Sequence, residues 1–297
     1  MLAVLAGCER GRAAVRVDTT TAAHQESMRV STETDPNMSH WNHLAGYALL
    51  VQGDSRDEAI VVLPAENDSA IVADIRILQD PNATVALFGR GGQRMSAKLG
   101  ELPASSDVDC RVWPLTGIQG GGPNTAWAVG FVGGHASALA LDSVDVLTSR
   151  DSMALAAEAS RLASAVTAST APAFQGLRFT AHDIRRFEST QGVQAIVAHL
   201  IRKVNQEASP LEEQTLLIAE RDSGVTSGPY RLVYADRTHG MEEQLATPEV
   251  VAAVRIAART TLIVARDSDD GVVYVMLERV GSSQWRVRWT SAVTRCG

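Results

Sequence analysis

At 297 residues, 45% of them hydrophobic, the chain is long enough to bury one large core or two smaller ones. Its 34 acidic and 27 basic residues give a formal net charge of −7, which leaves no basic face for displacing counterions from a phosphate backbone, and a nucleic-acid partner is set aside. No later stretch offers the about 18 uninterrupted apolar residues that cross a bilayer as a helix, so any membrane attachment has to come from the N-terminus.

The first chain segment supplies such an attachment. Leu5, Ala6, Gly7 and Cys8 stand in a row and are followed by Glu9. They resemble the lipobox of bacterial lipoproteins, with Leu5 at the hydrophobic position, Ala6 and Gly7 as the small residues before the cleavage site, and Cys8 as the sulfur that receives the lipid. The resemblance implies export, lipidation at Cys8 and a bacterial envelope location facing the periplasm or the exterior. Glu9 in place of Asp implies outer-membrane sorting where a cell has two membranes. An export signal carries a basic segment and an apolar run of about 7–15 residues, whereas only Met1, Leu2, Ala3 and Val4 precede the motif. Residues 1–8 therefore read as the end of a truncated signal whose start lies upstream. The other reading is a cytosolic β-rich protein in which Cys8 is incidental.

Residues 9–45 hold Thr19, Thr20 and Thr21, a polar run at 31–37 and few large apolar side chains, and they read as a tether. His40 and His43 there form an H-x-x-H pair with no general base or third ligand beside it, so no metal is assigned. From 46 to 148 short β-branched and aliphatic runs alternate with turn clusters, which predicts strands near 47–52, 59–63, 70–78, 84–88, 94–99, 110–116, 126–132 and 136–141. The glycine-rich stretches at 89–92 and 117–123 lack the spacing of a phosphate loop and read as loops. His135 lies two residues from Ser137, but no G-x-S-x-G elbow accompanies them, and no catalytic residue is assigned.

The segment 149–168 breaks the β pattern. Its alanine-rich run has high helix propensity and places Leu155, Ala159, Leu162 and Val166 on one stripe, so a helix and linker are expected over 149–172. A second β-rich lobe follows at 173–297, with strands near 177–187, 193–204, 214–221, 230–237, 260–266, 272–280 and 284–291. Residues 248–258 suit a helix, through Thr247-Pro248-Glu249, or a strand, through Val250, Val251 and Val254. In the last strand Trp285, Val287 and Trp289 alternate with Arg286 and Arg288, which predicts both tryptophans on one buried face.

Residues 48–63, 215–224 and 261–276 share a strand followed by a turn containing Asp and Ser, a pattern open to blade-like repetition or to unrelated hairpins. The acidic run Asp267-Ser268-Asp269-Asp270-Gly271 lacks the spaced ligands of a calcium loop and reads as a hairpin turn with Gly271 at positive φ. If Cys8 is acylated, Cys110 and Cys296 remain as the candidate disulfide pair.

The chain thus reads as mainly β, with antiparallel sheets in a sandwich, barrel or propeller-like arrangement and one helix near 150–168. The functional expectation is a lipid-anchored extracytoplasmic protein with a binding or structural role, needing no cofactor and more in keeping with a binder than an enzyme. An envelope hydrolase whose site the sequence does not reveal is the alternative. No ligand-binding residue is identified, and the partner beyond the membrane is left open.

Overall fold

The structure is a computed structural model that describes residues 41–62, 80, 82–100, 114–120, 126–166, 171–204, 210–224 and 228–293. Cys8, Cys110 and Cys296, with His40, most of the expected tether and the expected strand at 70–78, lie outside the described residues.

Six short strands close a small antiparallel barrel: β1 (Leu49–Gln52), β2 (Glu58–Val62), β3 (Thr84–Phe88), β4 (Arg94–Leu99), β5 (Leu115–Gln119) and β6 (Val129–Val132), in the order β1-β2-β5-β4-β3-β6. Alternation along each strand sorts the side chains. Leu50, Val61, Val85, Leu87, Leu99 and Ile118 form the barrel's own core. Gly130 sits among them because a Cβ there would lie 2.8 Å from Leu87. Their neighbours Leu49, Val51, Phe88, Val129 and Phe131 face outward and join a second apolar cluster.

That second cluster is completed by a five-stranded sheet in the order β16-β15-β14-β13-β7, built from β7 (Ser137–Leu139), β13 (Thr247–Ile256), β14 (Arg259–Ser268), β15 (Gly271–Arg279) and β16 (Trp285–Thr290). Its opposite face packs on another five-stranded sheet, β12-β11-β10-β9-β8, formed by β8 (Asp142–Ser143), β9 (Thr180–Thr190), β10 (Val193–Val204), β11 (Leu211–Asp222) and β12 (Arg231–Met241). Phe187, Val197, Leu216 and Ile218 from one sheet meet Leu262, Val264, Val275 and Leu277 from the other. The far face of the β8–β12 sheet is covered by the helix α1 (Ser149–Ala165), through Ala159, Leu162 and Ala163 against Ile184, Ile196 and Leu217. Barrel, sheet, sheet and helix therefore stack in layers, and each sheet is apolar on both faces.

The β-rich class and, among the described residues, the single α-helix agree with the sequence reading, and both barrel and sandwich are present. The ambiguous segment at 248–258 is strand β13, paired on both sides by β14 and β7. β7 and β8, which precede the helix, pair with β13 and β9, which follow it. The change from barrel to sandwich thus falls between Val132 and Ser137, ahead of the helix. Trp41 and Ala45, inside the stretch expected as a tether, are packed in the cluster between barrel and sheet.

One expectation is corrected in β16. The ladder passes from Leu277 opposite Val287 to Met276 opposite Trp289, so Arg288 is an extra residue and the strand bulges there. A bulge inverts the facing of everything after it. Trp285 accordingly points into the sandwich, while Trp289 points to the barrel side and meets Trp41 edge-on at 5.1 Å.

The β13–β14 hairpin turns through Ala257 and Ala258 at φ of 50° and 66°. This positive-φ pair is what a tight two-residue turn requires of its strands, filled here by residues that resist it.

Candidate functional site

The helix α1 begins with a reciprocal cap. Thr148 Oγ1 accepts the Asp151 N–H at 3.2 Å, and the Thr148 hydroxyl donates to Asp151 Oδ2 at 2.8 Å. Its later turns are seated by Ala159, Leu162 and Ala163, with Leu155 and Ala156 partly buried against the same cluster, while Met153 is 68% exposed. Beside the helix is a cleft of about 380 Å³ between α1, the strands β9 and β11, and the segment 228–230 that leads into β12.

Two arginines reach into this cleft from different strands, Arg186 of β9 and Arg221 of β11. Arg221 is locked. Its guanidinium lies on the Tyr230 ring, 4.5 Å from the centroid, and its Nε donates to Gln194 Oε1 at 2.9 Å. Nη2 of Arg221 donates to the same oxygen, as does the Tyr230 hydroxyl at 3.0 Å. The Tyr230 phenol is raised above its ordinary pKa by burial, against the pull of Arg221 and Arg186. Arg186 is half-buried and has no carboxylate partner among the described residues.

Two acids also line the cleft, and both are engaged. Asp151 holds the helix cap. Glu158 is held below the usual carboxylate range by the Arg161 guanidinium, which donates to its two oxygens at 2.9 and 2.7 Å, and it also accepts from the Tyr230 backbone. The cleft thus presents two positive planar groups, while Glu158 is paired with Arg161 and Asp151 is hydrogen-bonded to Thr148, an arrangement that can hold an anion.

A second polar cluster is enclosed under the other end of α1. Glu213 accepts from Arg202 at 2.7 Å and lies 3.3 Å from Arg237 Nε, with all three side chains buried. Both guanidinium groups lie over Phe179, at 4.5 and 5.2 Å. Arg237 donates to the carbonyls of Ala163 and Val166 at the end of the helix, and Arg202 to the Leu177 carbonyl at 3.3 Å. This cluster fastens α1 to the sheet and offers no opening. On the opposite face, the buried His199 shares a 3.1 Å hydrogen bond with Gln214, whose amide donates to Glu212 at 2.6 Å. That amide orientation turns the Gln214 carbonyl toward His199 and makes His199 Nε2 the donor.

The residues singled out from the sequence lie apart from the cleft. His43 and His135 are exposed, and Ser137 opens β7 opposite Arg255. The acidic run is the β14–β15 turn, with Asp269 and Asp270 exposed at its tip, Ser268 opposite Gly271, and Gly271 at φ of 118°. Among the described residues no three His, Cys, Asp or Glu side chains converge as metal ligands. Gln194, Arg186, Arg221 and Tyr230 were not marked by any motif. The available signal was Arg186 two residues beyond Ile184, a charge on a face otherwise turned to the apolar helix contact.

Comparison with family models, with curated proteins and with solved structures returns no match.

Proposed function

We propose that the chain is a lipid-anchored extracytoplasmic protein of a bacterial envelope whose folded body is a binding module, taking an anion in the cleft beside α1. The observation that carries the binding reading is a locked Arg221 and, across the same cleft, an Arg186 with no carboxylate partner among the described residues, beside a Glu158 already paired with Arg161. A cation left without a carboxylate at a half-buried position is costly unless something else faces it. The address rests on Leu5, Ala6, Gly7 and Cys8, whose lipobox-like order supports acylation at Cys8.

Two measurements test the two halves. Mass spectrometry of protein from a membrane fraction, expressed from its natural gene, is expected to find a diacylglyceryl-modified Cys8, and a free thiol there refutes the anchor. Titration of the full chain with small anions, followed by amide chemical shifts, is expected to move the signals of Arg186, Arg221 and Tyr230. Arg186→Ala is expected to weaken that binding by about tenfold or more, the loss of one charge-assisted contact. Anion binding that is unchanged in Arg186→Ala refutes the cleft as the site.

A further inference from the structure

We infer that the ligand of this cleft is a small carboxylic acid with an apolar body, an assignment that rests on the anion-binding reading above. The head group follows from the donors. Arg221 has Nε and Nη2 committed to Gln194 and its plane fixed on Tyr230, so only its remaining edge is free to meet a ligand. Arg186 provides a second donor edge from β9, one strand beyond β10 from Arg221. Two planar donors facing one space suit a planar group with two oxygens.

Charge argues the same way. Asp151 and Glu158 stand in the opposite wall, and although each is engaged, their field opposes a second negative charge on the ligand. A monoanion is therefore favoured over a phosphate dianion.

The body follows from the remaining wall. Leu147, Ala154 and Leu155 of the helix side and Pro229 of the strand side give an apolar lining next to the arginines. A cleft of about 380 Å³ is at the small end of ligand sites, which run from roughly 300 to 1,000 Å³. It holds one small acid whose carboxylate meets Arg186 and Arg221 and whose hydrocarbon lies along Leu155 and Pro229.

The test titrates the full-length protein with acetate, octanoate, benzoate and inorganic phosphate, at constant ionic strength, by calorimetry and amide shifts. Octanoate or benzoate is expected to bind at least about tenfold more tightly than acetate or phosphate. Leu155→Ser is expected to reduce octanoate and benzoate affinity several-fold while leaving acetate unchanged, and Arg186→Gln to weaken all the carboxylates together. Thermal unfolding confirms that both variants are folded. Phosphate as the tightest ligand overturns the carboxylate assignment and leaves the anion site standing. Acetate binding as well as octanoate and benzoate overturns the apolar body. Failure of every anion to bind overturns the anion reading itself.

Discussion

Trp289 joins two layers of the fold, and its truncation reports on that junction. The side chain is fully buried between the barrel and the β7–β16 sheet, against Trp41 and beside Met276, and its indole Nε1 has no hydrogen-bond partner among the described residues. Trp285, four residues earlier, lies in the sandwich and donates to Glu220 at 2.9 Å, a carboxylate also held by Arg279 at 2.7 and 2.9 Å. Truncating either residue to alanine removes a buried aromatic and is expected to cost about 3–5 kcal/mol. The phenylalanine variants separate the two environments. Trp285→Phe leaves Glu220 without one donor, and a hydrogen bond to a charged group is worth about 1.5–3 kcal/mol beyond the lost volume. Trp289→Phe also loses volume but removes an unsatisfied N–H whose burial costs about 1–3 kcal/mol, so the two changes offset one another. Urea unfolding is expected to rank Trp285→Phe as clearly more destabilising than Trp289→Phe. Native-state hydrogen exchange locates the effect: Trp289→Ala is expected to lower protection in β1, β3 and β6, and Trp285→Ala in β10 and β11. Equal loss of barrel protection in both alanine variants, or the reverse order for the phenylalanines, would falsify the placement of the two rings on opposite faces.

Replacing Ala257-Ala258 by Asn-Gly is expected to raise stability by about 1–2 kcal/mol, because both positions hold positive φ that Asn and Gly adopt at lower cost; unchanged thermal and urea midpoints count against that turn geometry. Glu213→Gln leaves Arg202 and Arg237 buried without their anion and is expected to cost about 3–5 kcal/mol in urea unfolding, the scale for breaking a buried pair. A cost below about 1 kcal/mol would show that the cluster is solvated. Burial holds His199 below the ordinary histidine pKa, with the Gln214 hydrogen bond, Glu212 and Asp183 opposing that shift and His182 adding to it. The unfolded chain then binds the proton first, near its ordinary value of about 6.5, so the stabilising contribution is whole above that pH and declines as pH falls below it. Measured between about pH 5 and 7, the stability slope is expected to be shallower in His199→Gln than in the parent, and an identical slope refutes the neutral buried imidazole.

The sequence by itself determined the mainly β class, the helix α1 and the acidic hairpin turn, because these depend on neighbours a few residues apart. The stretches 193–204, 214–221 and 260–266, within the strands Val193–Val204, Leu211–Asp222 and Arg259–Ser268, are dense enough in β-branched and aliphatic residues that strand was the reading whatever they packed against. The lipobox-like run at Leu5 to Cys8 is local in the same sense and remains a statement about address. What period-two alternation could not supply is the point at which it is interrupted. One extra residue at Arg288 sends Trp289 to the barrel, and only the ladder against Met276 and Leu277 sets that slip. Thr247 to Ile256 was balanced between helix and strand until two neighbouring strands provided hydrogen-bond partners. The cleft was decided at the same level. Arg186, Gln194, Arg221 and Tyr230 come from four segments and have no fixed spacing; what unites them is antiparallel pairing of β9, β10 and β11 beside α1. A charge becomes a site when tertiary packing withholds its partner, and no local pattern records which partners packing will withhold.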